Sequence, residues 1–179
     1  MAKPNTPWMV AAAIFIVDQI SKIIIIGPLA LQARGSIELL PIFNFTWTEN
    51  RGISLGLGQA TSDTGRWLLV ALTAAIALGV AWFIRREQQS ADRMALALVL
   101  GGALGNIVDR VRLGFVVDFL DLHIRGIPSY MCPSYDNGVC RPFLIFNVAD
   151  AAISIGVVIL LLRAIFVRPT APEENEDHA

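Results

Sequence analysis

Asp118 and Asp150 are the side chains best placed to do chemistry, because neither has a basic residue at helical spacing: Arg110 lies eight positions before the first and Arg163 thirteen beyond the second. Unpaired carboxylates beside apolar sequence are costly when charged, so each holds a proton or the two share one. A pair sharing a proton can hydrolyse a peptide: the ionised member takes a proton from water while the protonated member polarises the scissile carbonyl. The same carboxylates could relay protons in a small proton-coupled transporter. On the residues alone both readings stand.

Other candidate groups have structural readings beside the chemical ones. Asp18 and Lys22 form an i, i+4 pair that can neutralise itself or orient a substrate or backbone. Gly101, Gly102 and Gly105 permit close helix packing, and Asp109 beside Arg110 is expected to form an internal ion pair fixing the helix end. Gly52-Ile53-Ser54-Leu55-Gly56 matches a nucleophile-elbow pattern, but His123 and His178 are poor bases for it. Ser21 and Lys22, adjacent on a helix, point about 100° apart and do not form a dyad. Cys132 and Cys140 could close a short disulfide loop in an oxidising compartment. With two histidines in the chain, no metal and no cofactor is expected.

These residues must be positioned by elements that suit lipid. The chain has 179 residues, 55% hydrophobic and only 16% charged, with mean hydropathy +0.59, too apolar for an ordinary soluble domain. Its net charge of -1 excludes nucleic acid as a partner, which would need a basic stripe. Four segments are long and apolar enough to span a hydrocarbon core of about 30 Å: residues 8–26, 67–84, 94–111 and 143–166. Asp18 and Lys22 interrupt the first too early for a cleavable signal peptide. A single integral-membrane domain over 1–168 and a solvated acidic tail over 169–179 are expected.

The connection around Arg85, Arg86 and Arg93 is short and basic, which puts both termini in the cytoplasm and segments 27–66 and 112–142 outside. At 1.5 Å per residue, Asp18 lies roughly 15 Å from Trp8, and Asp109 roughly 22 Å from Met94. The charges therefore gather between mid-membrane and the outer boundary, where intramembrane ionisable groups mark functional sites. Phe43, Phe45 and Trp47 alternate with Asn44, Thr46 and Thr48 before an Asn50-Arg51-Gly52 turn, the pattern of a small surface sheet. The expected fold is an all-α polytopic membrane protein, four transmembrane helices carrying a small extracytoplasmic β-sheet.

Four motifs in order resemble those of the bacterial lipoprotein signal peptidase (signal peptidase II) family: Asp18-Gln19-Ile20-Ser21-Lys22; Asn50-Arg51-Gly52-Ile53-Ser54; Gly101 to Arg110 continuing to Gly114-Phe115-Val116-Val117-Asp118-Phe119; and Phe146-Asn147-Val148-Ala149-Asp150. The resemblance implies an intramembrane aspartic endopeptidase of the bacterial cytoplasmic (inner) membrane. Such an enzyme removes signal peptides from prolipoproteins, cutting before a cysteine that carries diacylglycerol. It implies that Asp118 and Asp150 are the catalytic pair, and that Asp18, Lys22, Asn50, Gly52, Asn106, Asp109, Arg110 and Asn147 surround them. A β-cradle beside the helices and contact with membrane lipids are also implied, and Ser54 becomes incidental. The long stretch from His123 to Arg141, with both cysteines, departs from the family pattern.

Overall fold

The computed structural model describes residues 5–52, 63–126, 128–132, 134–136 and 139–166. Ser54, Lys3 and the acidic tail fall outside them. Among the described residues four helices are long and apolar enough to cross a membrane: α1 (Thr6–Ile26), α3 (Asp63–Arg86), α4 (Ser90–Arg112) and α5 (Val148–Phe166). A single turn, α2 (Leu31–Arg34), follows α1.

The helices are inside-out relative to those of a soluble protein. On α1 the buried positions Ala11, Asp18, Lys22 and Ile25 fall on one stripe, while Met9, Ile16, Val17, Ile20, Ile23 and Ile24 are exposed. Lipid accepts the apolar face, so the polar side chains must turn inward to find partners. The central helix is α4, which packs against α1, α3 and α5. Its glycines make that possible: a Cβ on Gly101 would come within 2.5 Å of the Ala11 carbonyl oxygen, and one on Gly102 would strike the Ala149 carbonyl. Without those side chains the backbones approach closely enough to pack by dispersion.

One end of the bundle gathers charge in pairs. Arg163 of α5 bonds Asp92 of α4, with Nη2 3.3 Å from Oδ2, and the Arg85 guanidinium lies 5.7 Å from the Trp8 ring centroid. At the opposite end sits an antiparallel sheet in the order β1 (Ser36–Leu40), β2 (Phe43–Asn50), β3 (Val116–Leu122). Strand β2 forms where the alternation predicts it, though its eight residues are all half-buried; Phe45 and Trp47 pack on a core of Ile25, Leu31, Val117 and Phe119. Phe45 meets Phe119 edge to face at 5.8 Å. A second sheet, β4 (Ile124–Arg125), β6 (Val139–Arg141) and β5 (Ser134–Asp136), has the order β4-β6-β5. A disulfide ties Cys140 of β6 to Cys132, which precedes β5.

The fourth helix starts later than its apolar run, at Val148 rather than residue 143. Residues before it are used otherwise: Phe146 bridges to Leu120, the Leu120 amide donating to the Phe146 carbonyl at 2.8 Å and the Phe146 amide to the Leu120 carbonyl at 3.2 Å. This covers the free edge of β3 and brings the start of α5 alongside the middle of that strand. The other three helices extend one to four residues beyond the expected spans at one or both ends.

The glycine contacts give a stability prediction. Gly101→Ala and Gly102→Ala should each lower the thermal unfolding midpoint in detergent, at an overpacking cost of about 1–3 kcal/mol. Among the described residues nothing lies within 4 Å of the position a Cβ would take on Gly79 of α3, so Gly79→Ala should stabilise by about 0.5–1 kcal/mol.

Candidate active site

Lys22 is the first group to account for, since an ammonium 2% exposed needs an acceptor for each of its three protons. It has three: Asp18 Oδ2 at 2.9 Å, Asp109 Oδ2 at 2.8 Å and Asn106 Oδ1 at 3.3 Å. The i, i+4 pair is thus part of a three-residue cluster spanning α1 and α4. This corrects the expected Asp109 to Arg110 pair: Asp109 faces Lys22 across the helix interface, while consecutive residues on α4 diverge. Ser21 Oγ donates to the Asp18 carbonyl at 2.7 Å, engaged away from Lys22.

Both carboxylates of the cluster also hold backbone. Asp18 Oδ1 accepts the Ala149 amide of α5 at 3.0 Å, one of the orphan donors of a helix start. Asp109 Oδ2 accepts the Val117 amide of β3 at 3.1 Å. Gln19, part of the first motif but given no role by the sequence, ties the arrangement together. Its Nε2 donates to Asp18 Oδ2, Asp109 Oδ1 and the Gly105 carbonyl at 3.2, 3.2 and 3.3 Å. A Cβ on Gly105 would collide with the Asp18 carboxylate.

The residues so anchored carry the two candidate aspartates. Asn147 caps α5 as half of a reciprocal capping box: its Oδ1 accepts the Asp150 amide at 2.9 Å, and Asp150 Oδ2 faces the Asn147 amide at 3.4 Å. Its Nδ2 donates to Asp118 Oδ1 at 2.7 Å and to Asn106 Oδ1 at 3.2 Å, and Asn106 Nδ2 donates to Asp150 Oδ1 at 2.8 Å. One fully buried asparagine therefore touches both carboxylates, and a second links them to Lys22. The N-x-x-D spacing of a capping box was a readable signal for this.

Asp118 is paired across the sheet with Thr48 and points away from the Val117 and Phe119 core. Burial, and then the nearby negative charge of Asp150, push its carboxyl from 3.8 up to about 7; the side chains of Asn50 and Asn147 and the charge of Lys22 only partly oppose this. Asn50 ends β2, its Oδ1 accepting the Gly52 amide at 3.0 Å. Gly52 there has φ +90°, a conformation favouring glycine. Arg110 interacts electrostatically with Asp109, Asp118 and Asp150, so the basic neighbour missing at sequence spacing is supplied through the fold. Its Nε is buried without a hydrogen-bond partner among the described residues.

A cleft of about 770 Å³ opens beside Asp118, lined by Thr48, Asn50, Gly52, Arg110, Asp118 and Arg141 with apolar Leu69, Leu144 and Ile145, while Asp150 borders a second cavity of about 360 Å³ with Leu122, Phe143 and Phe146. A neighbouring polar group was missed from sequence: Asp121, 1% exposed, accepts Arg141 Nε at 3.0 Å and Thr46 Oγ1 at 2.9 Å. His123 is buried 4.0 Å from Asp121. No group of three or more metal-ligating side chains occurs among the described residues.

Known proteins share this plan. The chain matches the family model described as signal peptidase (SPase) II over residues 10–166. It is 54% identical over 169 residues to the lipoprotein signal peptidase of Rhizorhabdus wittichii, covering 94% of this chain and 91% of that protein. It is 53% identical over 180 residues to that of Sphingopyxis alaskensis, covering 98% and 96%. A solved bacterial membrane enzyme, determined by the in meso method at 1.9 Å resolution, superposes with a TM-score of 0.71 at 28% identity, covering 92% of this chain and 95% of that one. Four apolar helices with a small sheet, the family model over residues 10–166 and these relatives lead to one conclusion: the chain belongs to the signal peptidase II family.

Proposed function

We propose that this chain is an aspartic endopeptidase that removes signal peptides from prolipoproteins, cutting before a cysteine modified with diacylglycerol. The observation that carries the reading is Asn147, whose side chain and backbone contact both Asp118 and Asp150. The family is one of peptidases, which favours hydrolysis over proton-coupled transport by the same carboxylates.

In this reading Asp118, which keeps its proton to about pH 7, donates to the scissile carbonyl oxygen. Asp150, which accepts the Asn106 amide, takes a proton from water as the water oxygen bonds to the carbonyl carbon. Collapse of the tetrahedral intermediate returns a proton to Asp118, and the leaving nitrogen takes the proton from Asp150 as the C–N bond breaks. Arg110 and Asn50 border the cleft and orient the peptide. Lys22, Asp18, Asp109, Asn106 and Asn147 position the two carboxylates, and Gly52 shapes the turn beside them.

The substrate's acyl chains stay in the bilayer, which stabilises them by about 0.8 kcal/mol per buried CH₂, so the peptide reaches the site near the membrane boundary. The chain is accordingly a multi-pass protein of the bacterial cytoplasmic (inner) membrane. Both termini are cytoplasmic and the site lies near the outer face.

Asp118→Asn and Asp150→Asn should each fold, judged by thermal unfolding in detergent, yet leave a diacylglyceryl prolipoprotein uncut. Near-normal cleavage by either would overturn the assignment. The pH profile gives a second test. Between 3.8 and about 7 the folded protein holds a proton that the unfolded chain has released, so this contribution to stability is complete below 3.8 and lost as pH rises towards 7. Because chemistry needs the protonated member, kcat/KM should fall as pH climbs past about 7, and a rate still rising there would contradict Asp118 as the acid.

A further inference from the structure

The insertion between the third and fourth motifs supplies a cation to the cleft that the proposed mechanism does not use. Arg141 lies on β6 next to Cys140, whose disulfide to Cys132 closes the hairpin, and it pairs in register with Ser134 of β5. Its Nε is committed to Asp121 Oδ1. Asp121 is held in turn by Thr46 on β2, the middle strand of the sheet that carries Asp118. Among the described residues Nη1 and Nη2 have no protein partner, yet the side chain lines the same cleft as Asp118 and keeps 24% of its surface exposed.

A guanidinium carries five N–H donors, so four remain free when Nε is engaged. They are fixed by a buried carboxylate and a cross-linked strand, so little rotamer freedom is left to lose on binding. The pairing with Asp121 balances the charge, leaving donors that suit neutral oxygen acceptors. In a cleft over a peptidase site these are the main-chain carbonyls of the substrate. We infer that Arg141 is a substrate-binding residue, its Nη groups donating to peptide carbonyl oxygens and holding the substrate in the cleft that Asp118 lines. The inference rests on the peptidase reading above.

Removing Arg141 alone strands the buried Asp121 carboxylate, a change that can unfold the region by itself. The informative variant is therefore Arg141→Ala combined with Asp121→Asn, assayed beside the single variant Arg141→Lys on a diacylglyceryl prolipoprotein peptide in detergent. The double variant should keep its unfolding midpoint within a few degrees, raise KM about tenfold and change kcat less than threefold. Arg141→Lys, which retains donors without the planar fork, should fall between. An unchanged KM in the folded double variant would overturn the inference, as would a loss confined to stability. Asp118→Asn separates the two levels. If it cleaves normally the peptidase reading itself falls; if it is inactive while the double variant keeps wild-type KM, only the role of Arg141 falls.

Discussion

A buried ammonium is the constraint on which the rest of this molecule depends. Placing Lys22 inside an apolar bundle is costly unless every proton finds an acceptor, and charge within a lipid-solvated helix is rarely retained without use. The two carboxylates that compensate it, Asp18 and Asp109, each have a further oxygen interaction, with the Ala149 and Val117 amides. Those amides belong to the first turn of α5 and the start of β3, the segments carrying Asp150 and Asp118. The cluster that makes the charge tolerable also sets the position of both candidate aspartates, although none of its atoms need touch substrate.

The asparagines translate that anchoring into geometry. Asn147 serves helix α5 as a cap and the site as a bridge, while Asn106 connects Asp150 to Lys22. Such a network is strong when satisfied and costly when partly broken. Arg110 is the exception, its Nε buried without a partner among the described residues beside the cleft. An unspent donor there is expected where a ligand completes the hydrogen bonding.

The four apolar helices were legible from length and hydropathy, and the strand at Phe43 from its alternation, because both signals are local. That Asp118 and Asp150 belong to one cluster was suggested by their motifs, whereas the lack of basic neighbours at helical spacing did not carry over, because the fold brings Arg110 to both. Partners across elements were not legible. Asp109 was assigned to adjacent Arg110 because sequence shows what is near in the chain, while the fold brings Lys22 from α1. Gln19, Asp121 and Arg141 escaped notice for the same reason: each acts through contacts with residues distant in sequence. The late start of α5 escaped because residues 143–146 are apolar like the helix that follows, and only the bridge to β3 explains why they stay extended.

That bridge also governs how the chain can vary. Leu120 and Phe146 are joined by backbone hydrogen bonds, so the intervening segment is a closed loop whose two ends are pinned beside the aspartates. The entropy of closing a flexible loop rises only logarithmically, by roughly 0.6 kcal/mol for each doubling of length. Residues can thus be added to this loop at small energetic cost and without altering the spacing of Asp118 and Asp150. The disulfide-bearing sheet occupies such a loop, a region where new surface can be acquired while the carboxylates beneath it keep their geometry.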